Sequence, residues 1–550
     1  KDDMQKISPL KRIQSLIKDH DQEIRSIYLF SILGGIVNLS LPLGVQTIIG
    51  LVMGATMVTS IYVLIFLVVL GVLLVGILQM NQMKIIESIQ QKIFASYAFD
   101  FAERIPQVDL KYIDGYFMPE KITRFFETLN IQKGFSKLLL DIPIASVQII
   151  LGIILLSLYH PLYIGLGIAL LVILGLILSY TSPSGIQTSI EESNYKYEVT
   201  GFFGELARTL KSFKFSRGSE LTLSRTDQNV LGYVQSRTKH FQVLLLQYRA
   251  LIFFKVSLTI LMLTLGTYLL INQQLNIGEF IAAEIVILMI IAAVEKLITS
   301  MDSAYDVLTG LEKIATVTEI PLESSGNLAL TSDKGLEIQM QHFKFEFAEG
   351  VRLLDDLNVH IEAGDKIQVQ GEEGSGKSLF LRMLTGNYSD FMGNLLVNKV
   401  PIQNYDIQTL RQHTGVLLHG QEIFGGTILE NIQLGQSDIT PKLILETATN
   451  LGIDDFISYF PKGFQTPIEP LGKKTPQTWV KKILLLRAMC GEKRLLLLED
   501  PWSGIDAQTG EIISQYLNKL GDTCTVVVVS NQIHPSFKPN KTLTFQHGKI

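Results

Sequence analysis

Charge is what this sequence has little of. Only 18% of its 550 residues are Asp, Glu, Lys or Arg, against about a quarter in ordinary soluble domains, and the deficit lies mostly before residue 300. There is no block of like charge and no basic stripe, and the formal net charge is only -5. A surface that neutralises nucleic-acid phosphates is therefore excluded. Cysteine is scarcer still: Cys490 and Cys524 are the only two. They lack metal-ligand spacing and read as small buried apolar residues in a reducing compartment, so no disulfide framework is expected. The first residues are polar and charged, with no short apolar core behind a basic tip, and no signal peptide is read there. The chain does not begin with Met, which is compatible with trimming.

What fills the first half instead is apolar sequence. From Ser26 to Met83 there is no Asp, Glu, Lys or Arg, a run long enough to cross the ~30 Å hydrocarbon core twice at about 20 residues per helix. This predicts a helical hairpin turning near Gly50 to Ser60. The pattern recurs from Ile142 to Ile190, with a turn at His160-Pro161, and from Val256 to Gly278. After a turn at Asn272 to Asn276, a sixth helix is expected over about Phe280 to Ile298.

Basic residues gather on one side of these helices. Lys6, Lys11, Arg12, Lys18 and Arg25 precede the first; Lys84, Lys92, Arg104, Lys111, Lys121, Arg124, Lys133 and Lys137 lie between the second and third; the three opposite turns carry none. Because such residues stay on the cytoplasmic side of short loops, both termini are expected in the cytoplasm of a multi-pass inner-membrane protein. Lys84 to Lys137 and Glu191 to Lys255 are then long cytoplasmic excursions, read as helices continuing out of the membrane and back. Glu284 sits within the apolar sixth helix. Two readings stand: a carboxylate lining a functional cavity, or one near the outer end reaching interfacial water.

The composition shifts at Thr316 to Gly335, where Pro321, Ser324, Ser325, Gly326, Ser332 and Gly335 mark a linker. Ile338, Met340, Phe343, Phe345 and Phe347 then suggest an exposed-face strand ending in aromatics. After the strand-like Lys366 to Gln370 comes Gly371-Glu372-Glu373-Gly374-Ser375-Gly376-Lys377-Ser378, leading into the helix-like Leu379 to Leu384. Strand, loop and helix in that order fit a phosphate-binding loop. Its glycines let backbone N–H groups curl around phosphate oxygens, Lys377 offers a cation, and Ser378 can ligate Mg²⁺. Downstream, Leu495-Leu496-Leu497-Leu498-Glu499-Asp500 reads as a buried strand delivering two carboxylates to a sheet edge, a plausible site for Mg²⁺ and water.

In this order, the parts resemble the ATP-binding-cassette (ABC) exporters, over essentially the whole chain. Gly425 to Ile432 resembles the segment after that family's Gln loop, Arg487-Ala488 precedes the carboxylate strand at the family's spacing, and Ser503-Gly504-Ile505-Asp506 resembles the D-loop. Leu275 to Phe280 is similar to the entry of the sixth helix in the type I secretion and bacteriocin-export branch. Pro106 to Phe125 and Leu210 to Glu220 look like its two coupling loops. The resemblance implies an α-helical membrane domain at 26–315 behind a lead-in helix at 1–25, a linker at 316–335, and an α/β P-loop nucleotide-binding domain at 336–550.

Carried over residue by residue, the resemblance gives Gly371, Glu372, Glu373, Gly374, Ser375, Gly376, Lys377, Ser378 and Phe380 contact with ATP. Phe347, or less favourably Phe345, stacks on adenine, and Ser378 and Glu499 hold Mg²⁺. Other positions depart from the family pattern. His419 replaces the Gln-loop glutamine, Gln421 following two residues on; Glu499 replaces an aspartate, Asp500 the catalytic glutamate, and Asn531 the switch histidine. Thr475-Pro476-Gln477-Thr478-Trp479 stands where the signature Leu-Ser-Gly-Gly-Gln contacts the opposite subunit's ATP, with Thr475 and Pro476 expected as helix cap and first residue. The family implies a homo- or heterodimer with another half-transporter, lipid surroundings and, in this branch, a periplasmic adaptor. The expected function is export of a peptide, protein or other amphiphile with impaired hydrolysis. A pseudo-ATPase structural or regulatory subunit and a lipid or drug flippase are the alternatives.

Overall fold

The computed structural model describes residues 8–54, 59–112, 118–215, 219–346, 352–388 and 390–550. The chain divides into two compact units, Lys1–Pro106 with Phe117–Ile320, and Gln107–Tyr116 with Pro321–Ile550.

In the first unit, the described residues include six helices long and apolar enough to cross a membrane. A short helix, Pro9–Asp19, leads into the first span, which is broken at Leu39 between Asp21–Asn38 and Ser40–Met53. Pro42 accounts for the break: it has no N–H for the carbonyl four residues back, that of Asn38, and its ring presses on that oxygen. The remaining spans are Ser60–Arg104, Glu127–Tyr159, Leu162–Arg208, Ser219–Ile271 and Ile277–Thr299. Three of these run 45, 47 and 53 residues; at about 1.5 Å per residue they outrun a ~30 Å core and continue past it as helix.

The turns fall at His160-Pro161 and between Ile271 and Ile277, while residues 55–58 of the first lie outside the described residues. The sixth span starts at Ile277, a few residues ahead of the sequence reading, because Asn276 and Glu279 form a reciprocal capping box at 2.8 Å each way. Glu284 lies on the exposed face of this helix and makes no hydrogen bond or ion pair among the described residues. Two buried glutamines tie helices together. Gln82 donates to the Ile27 carbonyl (3.0 Å) and Ser31 (2.7 Å), and Gln247 to Thr181 (2.8 Å) and Tyr305 (2.7 Å).

The helix Met301–Thr318 runs into the stretch read as a linker, and extended chain follows it. Within the second unit, part of the first coupling-loop segment pairs with that extended chain. Val108 and Leu322 form an antiparallel bridge, Asp109 N–H donates to the Pro321 carbonyl (3.1 Å), and Glu323 N–H to that of Gln107 (2.8 Å).

Two sheets organise the second unit. One is antiparallel, in the order Arg352–Ile361, Ile338–Glu346, Met392–Val397, Val400–Pro401. The other is parallel, in the order Lys541–Phe545, Lys366–Gly371, Thr525–Val529, Leu495–Glu499, Thr414–Leu417. The strand expected to face solvent does not. Ile338, Met340, Phe343 and Phe345 are all buried in one core. The odd step from Met340 to Phe343 would send alternate residues to opposite faces, but a bulge at that point, with His342 at φ 48°, restores one inward face. Every residue of Leu495–Glu499 and Thr525–Val529 is buried, as strands covered on both faces must be.

Candidate nucleotide-binding site

The loop from Gly371 to Ser378 joins strand Lys366–Gly371 to helix Lys377–Leu384. Glycine is required at its two ends. At Gly371 (φ 149°) a Cβ would lie 2.3 Å from the Phe545 carbonyl oxygen, and at Gly376 (φ 100°) 2.9 Å from Leu354. Lys377 Nζ folds back to donate to the carbonyls of Gly371 (2.7 Å) and Glu372 (2.6 Å), which holds the ammonium over the loop.

Around the loop, the ends of the parallel strands bring the other expected residues together, as open α/β sheets do at their carboxyl edge. Ser378 Oγ donates to Glu499, which is 4% exposed at the end of its strand. The second oxygen of Glu499 accepts the His419 backbone N–H at 2.8 Å, and His419 Nε2 lies 3.3 Å from the Asp500 carboxylate. Asn531 Oδ1 accepts the Gly371 N–H at 3.2 Å. Asp500 has φ 41°, a left-handed conformation that Asp tolerates better than most residues. It is pinned there by its N–H to the Val529 carbonyl (2.9 Å) and by Ser503 N–H (3.1 Å) and Lys481 Nζ (3.0 Å) to its own carbonyl.

Lys481 was not among the residues singled out from the sequence. Burial lowers its pKa, and the attraction of Asp500 and Glu499 opposes that shift in part. The signal available was a lysine pair, Lys481-Lys482, directly ahead of the apolar run Ile483 to Leu486. Trp502 was also missed; it lines the cavity and donates from Nε1 to Ser514 at 2.9 Å.

Some expected contacts lie elsewhere. Phe380 is fully buried against Phe545, ring centroids 5.3 Å apart, and supports the loop from the core instead of touching a ligand. Phe345 is 1% exposed and edge-on to Tyr388, which removes it as an adenine platform, and Phe347 lies outside the described residues. None of Thr475 to Trp479 lines this cavity. The helix there begins at Gln477, with Pro476 at the cap position in an extended conformation (ψ 137°) and no side-chain cap. Thr475 and Pro476 therefore do not act as cap and first residue, because proline biases the residue before it away from helix and its own ψ is not helical. Gln477 and Thr478 are exposed, whereas Trp479 packs on Tyr459 (4.6 Å) and Phe460 (5.2 Å).

The residues present fit ATP and Mg²⁺. A cavity of about 600 Å³, lined by Glu373, Lys377, Ser378, Glu499, Asp500 and Asn531 among others, opens over the loop, within the usual size of small-molecule sites. A hydroxyl and a carboxylate are hard oxygen donors suited to Mg²⁺. Among the described residues no group of three or more His, Cys, Asp and Glu is placed to hold a metal ion. Held by one or two protein oxygens plus phosphate, the ion would when bound neutralise phosphate charge. Both cysteines are buried, and burial pushes the Cys490 thiol up to about 11 and the Cys524 thiol to about 12.

Residues 354–503 match the family described as ABC transporter. The chain is 24% identical over 355 residues, 64% of its length, to the alpha-hemolysin translocation ATP-binding protein HlyB of Escherichia coli O157:H7, covering 50% of that protein. It is 25% identical over 276 residues, 50% of its length, to an ATP-dependent lipid A-core flippase of Legionella pneumophila (strain Lens), covering 47% of it. The chain thus spans about half the length of the curated relatives it matches. In fold it is similar to a bacterial Atm1-family ABC exporter with ATP bound, with TM-score 0.86, 15% identity, and 96% and 94% of the two chains covered. With an ABC transporter domain matched around this loop and six membrane-capable helices ahead of it, the chain carries an ABC transporter domain and has the fold of an ABC exporter, in the half-transporter arrangement of membrane domain followed by nucleotide-binding domain.

Proposed function

We propose that this chain is the ATP-binding half of an exporter that moves a peptide, protein or other amphiphile out of the cytoplasm, and that it binds MgATP far better than it hydrolyses it. The observation that carries the reading is the contrast within one cavity. The loop Gly371 to Ser378, with Lys377 poised over it, has every group that phosphate binding needs. The groups next to it are poorly equipped for turnover. Asp500 is one methylene shorter than the glutamate of the resembled family, and a displacement of about 1 Å from an in-line water can cost on the order of 10²-fold. Asn531 hydrogen-bonds but cannot take up a proton, and His419 is turned to the Asp500 carboxylate. Glu499 keeps a carboxylate for the ion.

Both termini face the cytoplasm in this reading, in the inner membrane, and the chain works as a homo- or heterodimer in which Thr475 to Trp479 meets the partner half's ATP. Gln477, Thr478 and Trp479 put bulk where close backbone approach is needed, so that second site is slow as well. A periplasmic adaptor is a partner of the peptide- or protein-export form. The relative named as a lipid A-core flippase supports a lipid cargo within the same transporter class.

The test is phosphate release by the purified full-length chain in lipid, alone and with whatever co-purifies from native membrane. The isolated chain is expected to bind MgATP with little release, and a motif-complete exporter half is expected in the pull-down. Robust turnover by the chain alone, abolished by Lys377→Ala, would contradict impaired hydrolysis. A stable complex with non-transporter proteins would favour a pseudo-ATPase structural subunit.

A further inference from the structure

We propose that a notch among the first three membrane-capable helices binds an uncharged hydrogen-bonding group, of the carboxamide type, on an amphiphile in the cytoplasmic half of the bilayer. The notch has a volume of about 80 Å³ and lies where Asp21–Asn38 meets Ser60–Arg104 and Glu127–Tyr159. Its lining includes Ser31, Asn38, Gln79, Gln82 and Gln148, with Gly34 leaving the space open.

Depth follows from the nearest charged residue along each helix. Ser31, Gln79 and Gln148 lie six residues from Arg25, five from Lys84 and seven from Asp141. At about 1.5 Å per residue that is about 7 to 11 Å inside the ~30 Å core on all three helices, on the side those charges mark. Polar side chains at such depth usually bond one helix to another, and this accounts for Gln82, which donates to Ser31 (2.7 Å) and the Ile27 carbonyl (3.0 Å). It does not account for Asn38, Gln79 and Gln148, whose amides have no hydrogen bond among the described residues. Gln79 is exposed and Asn38 and Gln148 are half-buried, so these three amides are open to a partner from outside the chain, and in hydrocarbon an amide left without one is costly.

The chemistry of the wall selects that partner. No residue lining the notch is charged, so a phosphate, carboxylate or ammonium would enter without a counter-charge. Side-chain amides present donors and acceptors together, and their complement is a group offering both, as a peptide bond does. The volume admits one such group, or two or three waters at about 30 Å³ each. The proposal deepens the exporter reading, on which it rests for taking the amphiphile as cargo, by naming a class: an apolar chain carrying backbone amides.

The experiment uses the full-length chain in phosphatidylcholine nanodiscs without nucleotide. Two photoreactive probes share one alkyl chain, with a diazirine beside the head; one ends in a primary amide and the other in a carboxylate. An alkane of the same length is the control, and labelled peptides are mapped by mass spectrometry. The amide probe is expected to label the stretches around Ser31, Gln79 and Gln148 at least about fivefold over the carboxylate probe, the ratio that one net hydrogen bond supplies. The same loss is expected for the amide probe in Gln79→Leu/Gln148→Leu, and in Gly34→Leu. The latter fills the notch while leaving its polar groups in place, since a Cβ there meets only Leu78 at 3.8 Å. Equal labelling by amide and carboxylate, labelling unchanged in the variants, or labelling no higher than the alkane's, meaning a notch that holds water only, would each overturn the proposal. The two-probe comparison on the unsubstituted chain stands even where a variant fails to fold. MgATP binding measured on the same samples separates this failure from failure of the nucleotide reading.

Discussion

Single residues decide most of what can be said about chemistry here, and they differ in how legible they were. Lys377, Ser378, Glu499 and Asn531 were readable because each sits at a fixed offset from a glycine loop or a strand end. Lys481 was not, because its role depends on helix Gln477–Met489 passing beneath Asp500, a tertiary fact with no local signature. Phe380 was misplaced for a related reason: a residue three past Lys377 on a short helix faces the core, where Phe545 waits. The two thiols give a test of burial at this scale. Native Cys490 and Cys524 are expected to resist iodoacetamide at pH 8 and to react fully in denaturant. Their folded pKa values, about 11 and about 12, exceed the unfolded 9.0. Their contribution to stability is therefore intact below pH 9 and is lost as pH rises through the folded values, as the unfolded chain sheds protons that the native chain keeps. Thermal unfolding followed from pH 8 to 11 should show that decline, and Cys490→Ala/Cys524→Ala should flatten it.

Elements show where sequence periodicity succeeds and where it misleads. The membrane-capable helices were legible from uncharged runs and their turns from Gly, Pro and Asn, since lipid leaves helix as the default for such runs. The strand Ile338–Glu346 was misread as exposed because a simple period of two cannot register the bulge after Met340. The segment Gly425 to Ile432, known from the sequence only by resemblance, has a physical account in the fold. Thr427 and Glu430 form a capping box on helix Ile428–Gln433. Asn431, fully buried, ties that helix together: its Oδ1 accepts the Phe424 N–H (3.0 Å), its amide donates to the Phe424 (3.0 Å) and Thr427 (3.1 Å) carbonyls, and Arg487 Nε donates to its own carbonyl (2.7 Å). Thr427→Ala should cost about 1 kcal/mol, the usual worth of a cap. Asn431→Leu should cost about 3 kcal/mol or more, because several buried groups lose partners at once. Denaturant unfolding of the two variants checks the order, and equal effects would mean that the buried amide network contributes little beyond the cap.

For the whole molecule, the two halves were legible to different depths. Architecture follows from composition: a charge-poor half whose exposed surface includes Phe66, Leu67, Val69 and Leu73 belongs against lipid, and a half with an alternating strand and helix pattern forms a sheet with a ligand at its carboxyl edge. Activity does not follow in the same way, because it turns on whether Asp500, Asn531 and His419 can together activate water around a bound phosphate, which depends on sub-ångström placement. The central claim is that this chain holds MgATP and barely turns it over, and the most direct measurement is the fate of the bound nucleotide. The full-length chain in nanodiscs is loaded with ATP labelled on the α-phosphate, separated from free nucleotide, and the bound label is identified over time by chromatography. The account predicts that the label stays ATP over many minutes and that Lys377→Ala retains none. Conversion of the bound label to ADP within seconds in the unsubstituted chain would contradict it.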